Sequence, residues 1–246
     1  MTGAGAAGLE GAALVADLAR RFAPVTAAVE VAGRPVELLR PPSADALISE
    51  EDFARDERLP YWADLWPSAC VLAGALAAEA GAGRTLLELG SGLGLAAIAA
   101  MRAGYRVTAS DYYADALAFT RANAWRALGR EPEARLLDLR ALPDDLPRFD
   151  RVVAADVLYE RPYAALLAAA LARALAPGGL ATVADPGRLA VRTFLDEARA
   201  LGLTLVSETT HPWTDGKHHS RITLYSFALS SLSPPAARPK GGWVER

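Results

Sequence analysis

From Arg84 onward, short continuous apolar runs alternate with longer stretches in which apolar residues recur every three or four positions. The short runs predict strands near 84–89, 105–110, 134–138, 150–155 and 179–184; the longer ones predict helices near 94–103, 114–128, 163–175 and 188–201. Strands that are apolar throughout and separated by helices belong to a parallel sheet covered on both faces, so the expected fold class is α/β. The end of the chain departs from this alternation. Thr204 to Thr209 and Arg221 to Leu229 are two strand-like runs joined by a loop, which predicts an antiparallel hairpin. Upstream, Leu9 to Phe22 has helical spacing, while Val25 to Val31 and Pro35 to Leu39 alternate around Gly33 as a small hairpin does. Leu59 to Pro67 is an aromatic-rich connection, and Pro67 is placed to open a helix running to about Glu79. Beyond Ser230 the periodicity is lost, and the tail to Arg246 is expected to be disordered. The expected organisation is thus a helix-and-hairpin extension over 1–58, a main domain over 59–230 and a tail over 231–246, with no internal repeat.

Composition narrows the function. The 246 residues, 52% of them hydrophobic, suffice for one large core. With 26 basic against 29 acidic residues, a net charge of −3 and no long basic block, the footprint of a general nucleic-acid binder is missing. A small or protein substrate is favoured. Cys70 is the single cysteine, which excludes an intramolecular disulfide and a cysteine zinc cluster and suits packing in a helix. His211, His218 and His219 fall in the predicted hairpin loop with no acid cluster beside them, so no metal is expected. The first residues carry Glu10 and Asp17 where a secretory signal needs an apolar core. The longest apolar run, Ala164 to Leu171, is stopped by Arg173, short of the roughly 20 residues of a membrane helix. A cytoplasmic location is the expectation.

The most informative chemistry lies after the first of the alternating strands, where Glu88-Leu89-Gly90-Ser91-Gly92-Leu93-Gly94 leads into a helix and Asp111 closes the next strand. Spaced glycines permit positive φ and close approach of backbone to a ligand, and an acid after the second strand is placed to meet a ribose. The spacing is GxGxG: Leu95 stands where a dinucleotide loop has its third glycine or alanine. Glu88 would repel a pyrophosphate and attract a cationic amino group. A ligand with a ribose, a positive end and no phosphates fits, and S-adenosylmethionine (SAM) is such a ligand. A side chain added at Gly90 or Gly92 is expected to intrude on its methionine moiety. Asp111 has a second reading as a helix cap for the run from Tyr112 or Tyr113.

The run E-x-G-x-G-x-G followed by Asp111 resembles motif I and the ribose acid of class I methyltransferases. That resemblance implies a Rossmann-like, doubly wound, mostly parallel seven-stranded sheet in the order 3-2-1-4-5-7-6, ending in the antiparallel hairpin. It also implies a cofactor site built from Trp66, Glu88, Gly90, Ser91, Gly92, Gly94, Asp111, Asp138, Leu139 and Ala155. Asp138 and Leu139 follow the third strand, where a carboxylate can accept from an adenine amino group; the other reading of Asp138 is a cap in the loop before Pro143.

Asp156-Val157-Leu158-Tyr159 follows the fourth strand and matches the acid-x-x-aromatic motif of seven-β-strand protein-lysine methyltransferases, often D-V-L-Y. Trp66-Pro67-Ser68-Ala69 is similar to that group's W-x-x-small segment. Pro60-Tyr61-Trp62-Ala63 resembles the P-[FY]-W-A stretch of the branch that methylates the β-subunit of electron-transfer flavoprotein. The resemblance covers about residues 59–230. It implies catalytic roles for Asp156, orienting a deprotonated lysine amine, and Tyr159, lining the channel and attracting the cation. The plain alternatives are a turn cap for Asp156 and core packing for Tyr159, Trp62 and Trp66. The clamp [N/D]-P-P-[Y/F/W] of amide and adenine methyltransferases is replaced here by Val157-Leu158. The expected activity is SAM-dependent methylation of a protein lysine; the competing readings are methylation of a small amine, a SAM-binding module without catalysis, and a nicotinamide-dependent oxidoreductase. Neither substrate identity nor oligomeric state is legible.

Overall fold

The computed structural model describes residues 9–44, 47 and 59–229. The tail expected to be disordered, 231–246, lies outside the described residues. Nine strands and six helices are present among them. The chain begins with α1 (Gly11–Phe22), followed by the antiparallel pair β1 (Val25–Val31) and β2 (Arg34–Arg40). A short 3-10 turn, Tyr61–Ala63, leads to α2 (Pro67–Ala77), with Pro67 in the first turn, where its missing N–H costs no helical hydrogen bond. The main sheet and its helices follow: β3 (Thr85–Leu89), α3 (Leu95–Arg102), β4 (Arg106–Asp111), α4 (Ala114–Leu128), β5 (Glu133–Leu136), β6 (Phe149–Ala155), α5 (Tyr163–Ala174), β7 (Leu175–Asp185), α6 (Val191–Ala200), β8 (Leu203–Thr214) and β9 (His219–Leu229).

The seven-stranded sheet runs β5-β4-β3-β6-β7-β9-β8. Counted from β3, that is the expected order 3-2-1-4-5-7-6. All pairings from β5 to β7 are parallel; β9 pairs antiparallel with both β7 and β8. This is the α/β Rossmann-like methyltransferase fold with a C-terminal hairpin.

Side-chain alternation along β3 explains the two layers. Leu86 packs with residues of α2, α3 and α4 on one face, and Leu87 and Leu89 pack with those of α5 and α6 on the other. Leu14, Leu18, Val36 and Leu38 of the N-terminal elements join the first of these clusters. Asn123 of α4 stitches them on: its Oδ1 accepts from Leu39 N–H at 2.7 Å, and its Nδ2 donates to the carbonyls of Leu39 and Leu93, both at 3.0 Å. Cys70 sits half-buried in α2, and burial pushes its thiol up to about 11. No helix among the described residues is long and apolar enough to cross a membrane.

The hairpin differs from expectation. Strands β8 and β9 extend to Thr214 and from His219, so His211 and His219 lie on strands and only His218 is in the turn, paired with Asp215 at 3.0 Å. Pro212 and the neighbouring polar residues read as loop because the outer half of β8 is an exposed edge, where proline and polar side chains are tolerated. The last helix also starts later than expected, at Val191, because the Asp185 carboxylate takes the amides of Gly187 and Arg188 into a turn.

Candidate active site

Strand β3 is flanked by β4 on one side and β6 on the other, so chain order reverses at its carboxyl end and a crevice opens there. The cleft at this point is lined by every residue expected from the sequence: Trp66, Glu88, Gly90, Ser91, Gly92, Gly94, Asp111, Asp138, Leu139, Ala155, Asp156 and Tyr159.

The glycine loop is held by its own chain. The amides of Gly90 and Ser91 both donate to the Ser110 carbonyl at 2.9 Å, Gly92 N–H donates to Asp111 Oδ2 at 3.0 Å, and Gly94 N–H to the Ser91 carbonyl at 2.8 Å. Ser91 is buried, with its Oγ accepting from Thr120 at 3.1 Å. All three glycines have positive φ, of 74°, 52° and 82° for Gly90, Gly92 and Gly94. Side chains added there would first meet the protein itself. A Cβ at Gly90 meets Val157 at 3.0 Å, one at Gly92 meets the Trp62 carbonyl at 3.3 Å, and one at Gly94 would come within 2.9 Å of the Thr120 backbone. The glycines are therefore required for packing and φ before any ligand is considered.

Glu88 lies beneath the loop, 3% exposed. Burial pushes its carboxyl up to about 8, the nearby Asp111 adds to the rise, and a hydrogen bond from the Ala97 amide at the start of α3 opposes it. Its Oε2 is buried with no hydrogen-bond partner among the described residues. An unpartnered buried oxygen is costly in isolation and calls for a donor. Asp111 is also buried and likewise pushed up by burial; its Oδ1 accepts from the Tyr113 amide at 3.0 Å. The carboxylate thus joins the first loop to the turn before α4; the helix itself is capped at Tyr113 without a side-chain hydrogen bond, so Asp111 does not act as its cap. Two oxygens accept about four hydrogen bonds, so it retains capacity for a ribose.

Asp138 is turned toward its own loop. It accepts from the Arg140 amide at 2.9 Å and forms a two-pronged ion pair with the Arg140 guanidinium, whose Cζ lies 5.5 Å from the Tyr112 ring centroid.

At the opposite end, Asp156 follows β6 with φ of 58°, and its amide donates to the Ala184 carbonyl at 2.9 Å. Aspartate is among the few residues that tolerate this conformation. Its Oδ2 accepts from Ser68 Oγ at 3.2 Å, and its Oδ1 is ion-paired to Arg188. Tyr159 stands in an aromatic row, with ring centroids 5.2 Å from Tyr61 and 4.9 Å from Tyr163. Trp66 is edge-on to Tyr61 and donates from Nε1 to the Tyr61 carbonyl at 2.8 Å. Trp62 serves chiefly as core, buried at centroid distances of 5.5 Å from Phe119 and 6.5 Å from Tyr113. Sequence reasoning missed Tyr163 and Arg188. Tyr163 could have been found as the next aromatic residue after Tyr159, at the first position of α5; nothing in the local sequence marks Arg188. Among the described residues, no group of three or more His, Cys, Asp or Glu could hold a metal.

Residues 86–179 match the family model described as a methyltransferase domain. No curated protein matches the chain. Solved structures with the same fold include a ribosomal protein L11 methylase from Lactobacillus delbrueckii, 17% identical over 66% of this chain and 77% of that one, with a TM-score of 0.51. A TehB-like SAM-dependent methyltransferase from Corynebacterium glutamicum is 20% identical over 73% and 94%, also at 0.51. A magnesium protoporphyrin IX methyltransferase from Synechocystis, solved with bound SAM, is 20% identical over 74% and 86%, again at 0.51. The match to a methyltransferase domain thus covers residues 86–179, and the fold around it is the one these SAM-dependent methyltransferases share. The glycine loop fits SAM better than a dinucleotide: the amides of Gly90, Ser91, Gly92 and Gly94 are spent internally, and the carboxyl of Glu88 takes the amide at the start of α3. What the loop offers the cleft is acid, Glu88 and Asp111, rather than free amides.

Proposed function

We propose that this methyltransferase domain transfers a methyl group from SAM to the side-chain amine of a protein lysine, with Glu88 holding the cofactor's amino group, Asp111 its ribose, and Asp138 with Leu139 its adenine. The observation that carries the reading is Asp156 at the carboxyl end of β6, beside the aromatic row Tyr61, Tyr159 and Tyr163 in the same cleft as the glycine loop. SAM, when bound, supplies an electrophilic methyl group on a sulfonium. The chain's residues then have to align an amine, exclude water and receive one proton. Asp156 is placed to accept hydrogen bonds from the amine and so turn its lone pair toward the methyl group. Aromatic faces stabilise a cation in the channel that water-rich polar walls would let diffuse away. The match of Asp156 and Tyr159 to the acid-x-x-aromatic motif of lysine enzymes supports the protein substrate, and the fold is also shared with a protein methylase.

A small amine is the second reading, because the same acid and rings would serve any alkylammonium. Incubation with methyl-tritiated SAM and a cell extract separates them. Label in a protein band that yields methyllysine on acid hydrolysis supports the proposal; label confined to a small-molecule fraction overturns it.

A further inference from the structure

The carboxylate of Asp156 is already occupied before any acceptor arrives. Its side chain is 3% exposed. Ser68, fully buried in α2, donates to one oxygen, and Arg188 pairs with the other. Of these two partners only Arg188 has room to leave. It stands on the turn between β7 and α6 with its side chain 31% exposed, and its Cζ lies 5.6 Å from the centroid of the Trp66 ring. Asp185 fixes the base of that turn by accepting the amides of Gly187 and Arg188, both at 2.7 Å. The protein therefore places its own cation between an acid and an indole face, the chemistry that seats an alkylammonium.

We propose that Arg188 is a built-in competitor of the acceptor: it holds the seat formed by Asp156 and Trp66 until a cationic side chain displaces it. The inference rests on the reading of Asp156 as the acid that meets the acceptor. With almost none of the carboxylate's surface open, an amine reaches it only when Arg188 withdraws toward solvent. Replacing one cation by another keeps the buried carboxylate compensated, whereas adding a second beside the first sets like charges together. Selectivity follows, because a neutral side chain of the same shape offers no replacement charge and leaves Arg188 in place.

The test uses the full chain saturated with S-adenosylhomocysteine, and n-butylammonium as a lysine side chain cut free, with n-butanol as the neutral control. The Arg188 Nε–H resonance is assigned by its loss in Arg188→Gln. Butylammonium should shift that resonance in the wild type while butanol does not, and Arg188→Gln should bind butylammonium at least about tenfold tighter. An unmoved resonance, absence of binding, or equal or weaker binding by Arg188→Gln overturns the proposal. The underlying reading is judged separately, by whether N-methylbutylamine forms when SAM replaces S-adenosylhomocysteine. Displacement without product removes the lysine reading and keeps the competitor; product formed with equal kcat/KM in both proteins does the reverse.

Discussion

Glu88 should make SAM affinity depend on pH, and Glu88→Gln should abolish the acid side of that dependence. The carboxyl is raised from 4.5 to about 8 by burial, so the ligand-free site holds a neutral acid through most of the physiological range. A cationic amino group requires the ionised form. At a value near 8 about one molecule in ten is ionised at pH 7 and about one in a hundred at pH 6, which weakens binding by about tenfold, or about 1.4 kcal/mol, per unit. On the alkaline side the ligand's own α-amino group loses its proton near its ordinary value of about 7.7–8.0, so affinity should peak close to pH 8. Titration calorimetry at pH 6, 7 and 8, in two buffers of different ionisation enthalpy, reads both the slope and the release of about one proton at the acid end. The glutamine variant should bind with a flat profile below the peak, and more weakly at pH 8 by about 1.5–3 kcal/mol, the scale of a hydrogen bond to a charged group. Constant wild-type affinity from pH 6 to 8, or an undiminished slope in the variant, would refute the reasoning. The same shift sets the sign for stability: because the folded value is raised, its contribution is complete below about 4.5 and is lost as pH rises through about 8, up to about 5 kcal/mol in the ligand-free protein.

Three further outcomes follow from the site and the loop. Asp111→Asn, which keeps the shape but removes the charge, should weaken SAM by about 1.5–3 kcal/mol in the same calorimetric assay; an unchanged dissociation constant would leave Asp111 only its loop-joining role. Asp156→Asn should leave SAM affinity near wild type and lower turnover at saturating SAM by about 10²-fold or more, with Tyr159→Phe milder; full activity would remove Asp156 from the chemistry, and a parallel loss of binding would make it a cofactor residue. Gly94→Ala should lower the denaturation midpoint by an equivalent of about 1–3 kcal/mol, because its φ of 82° and the 2.9 Å approach to Thr120 leave no room for a methyl group; a midpoint equal to wild type would contradict that packing.

Much of the fold was legible because a doubly wound sheet writes itself in the sequence as buried strands with helices between them. β3, β4, β6 and the helices after them lie close to their expected positions, since their apolar runs have no other way to be buried. The hairpin was less legible, because β8 is an exposed edge whose residues carry no alternation to read. The site separates along the same line. Residues held at strand ends, Glu88, Asp111 and Asp156, could be placed because a strand end has one position in this architecture. Arg188 reaches Asp156 from a different turn, 32 residues away, and no local pattern encodes that meeting. The glycines show a different limit: their spacing identified the loop, but the objects their missing side chains avoid, Val157, Trp62 and Thr120, come from three separate stretches of the chain.

The central claim, methyl transfer from SAM to a protein lysine, is tested most directly by mass spectrometry of peptides from an extract incubated with the wild-type protein and SAM carrying a deuterated methyl group. The account predicts heavy methyl groups on lysine residues of one or a few proteins, absent when Asp156→Asn replaces the wild type. Heavy methyl found on other residue types, only on small molecules, or equally with both proteins would contradict it.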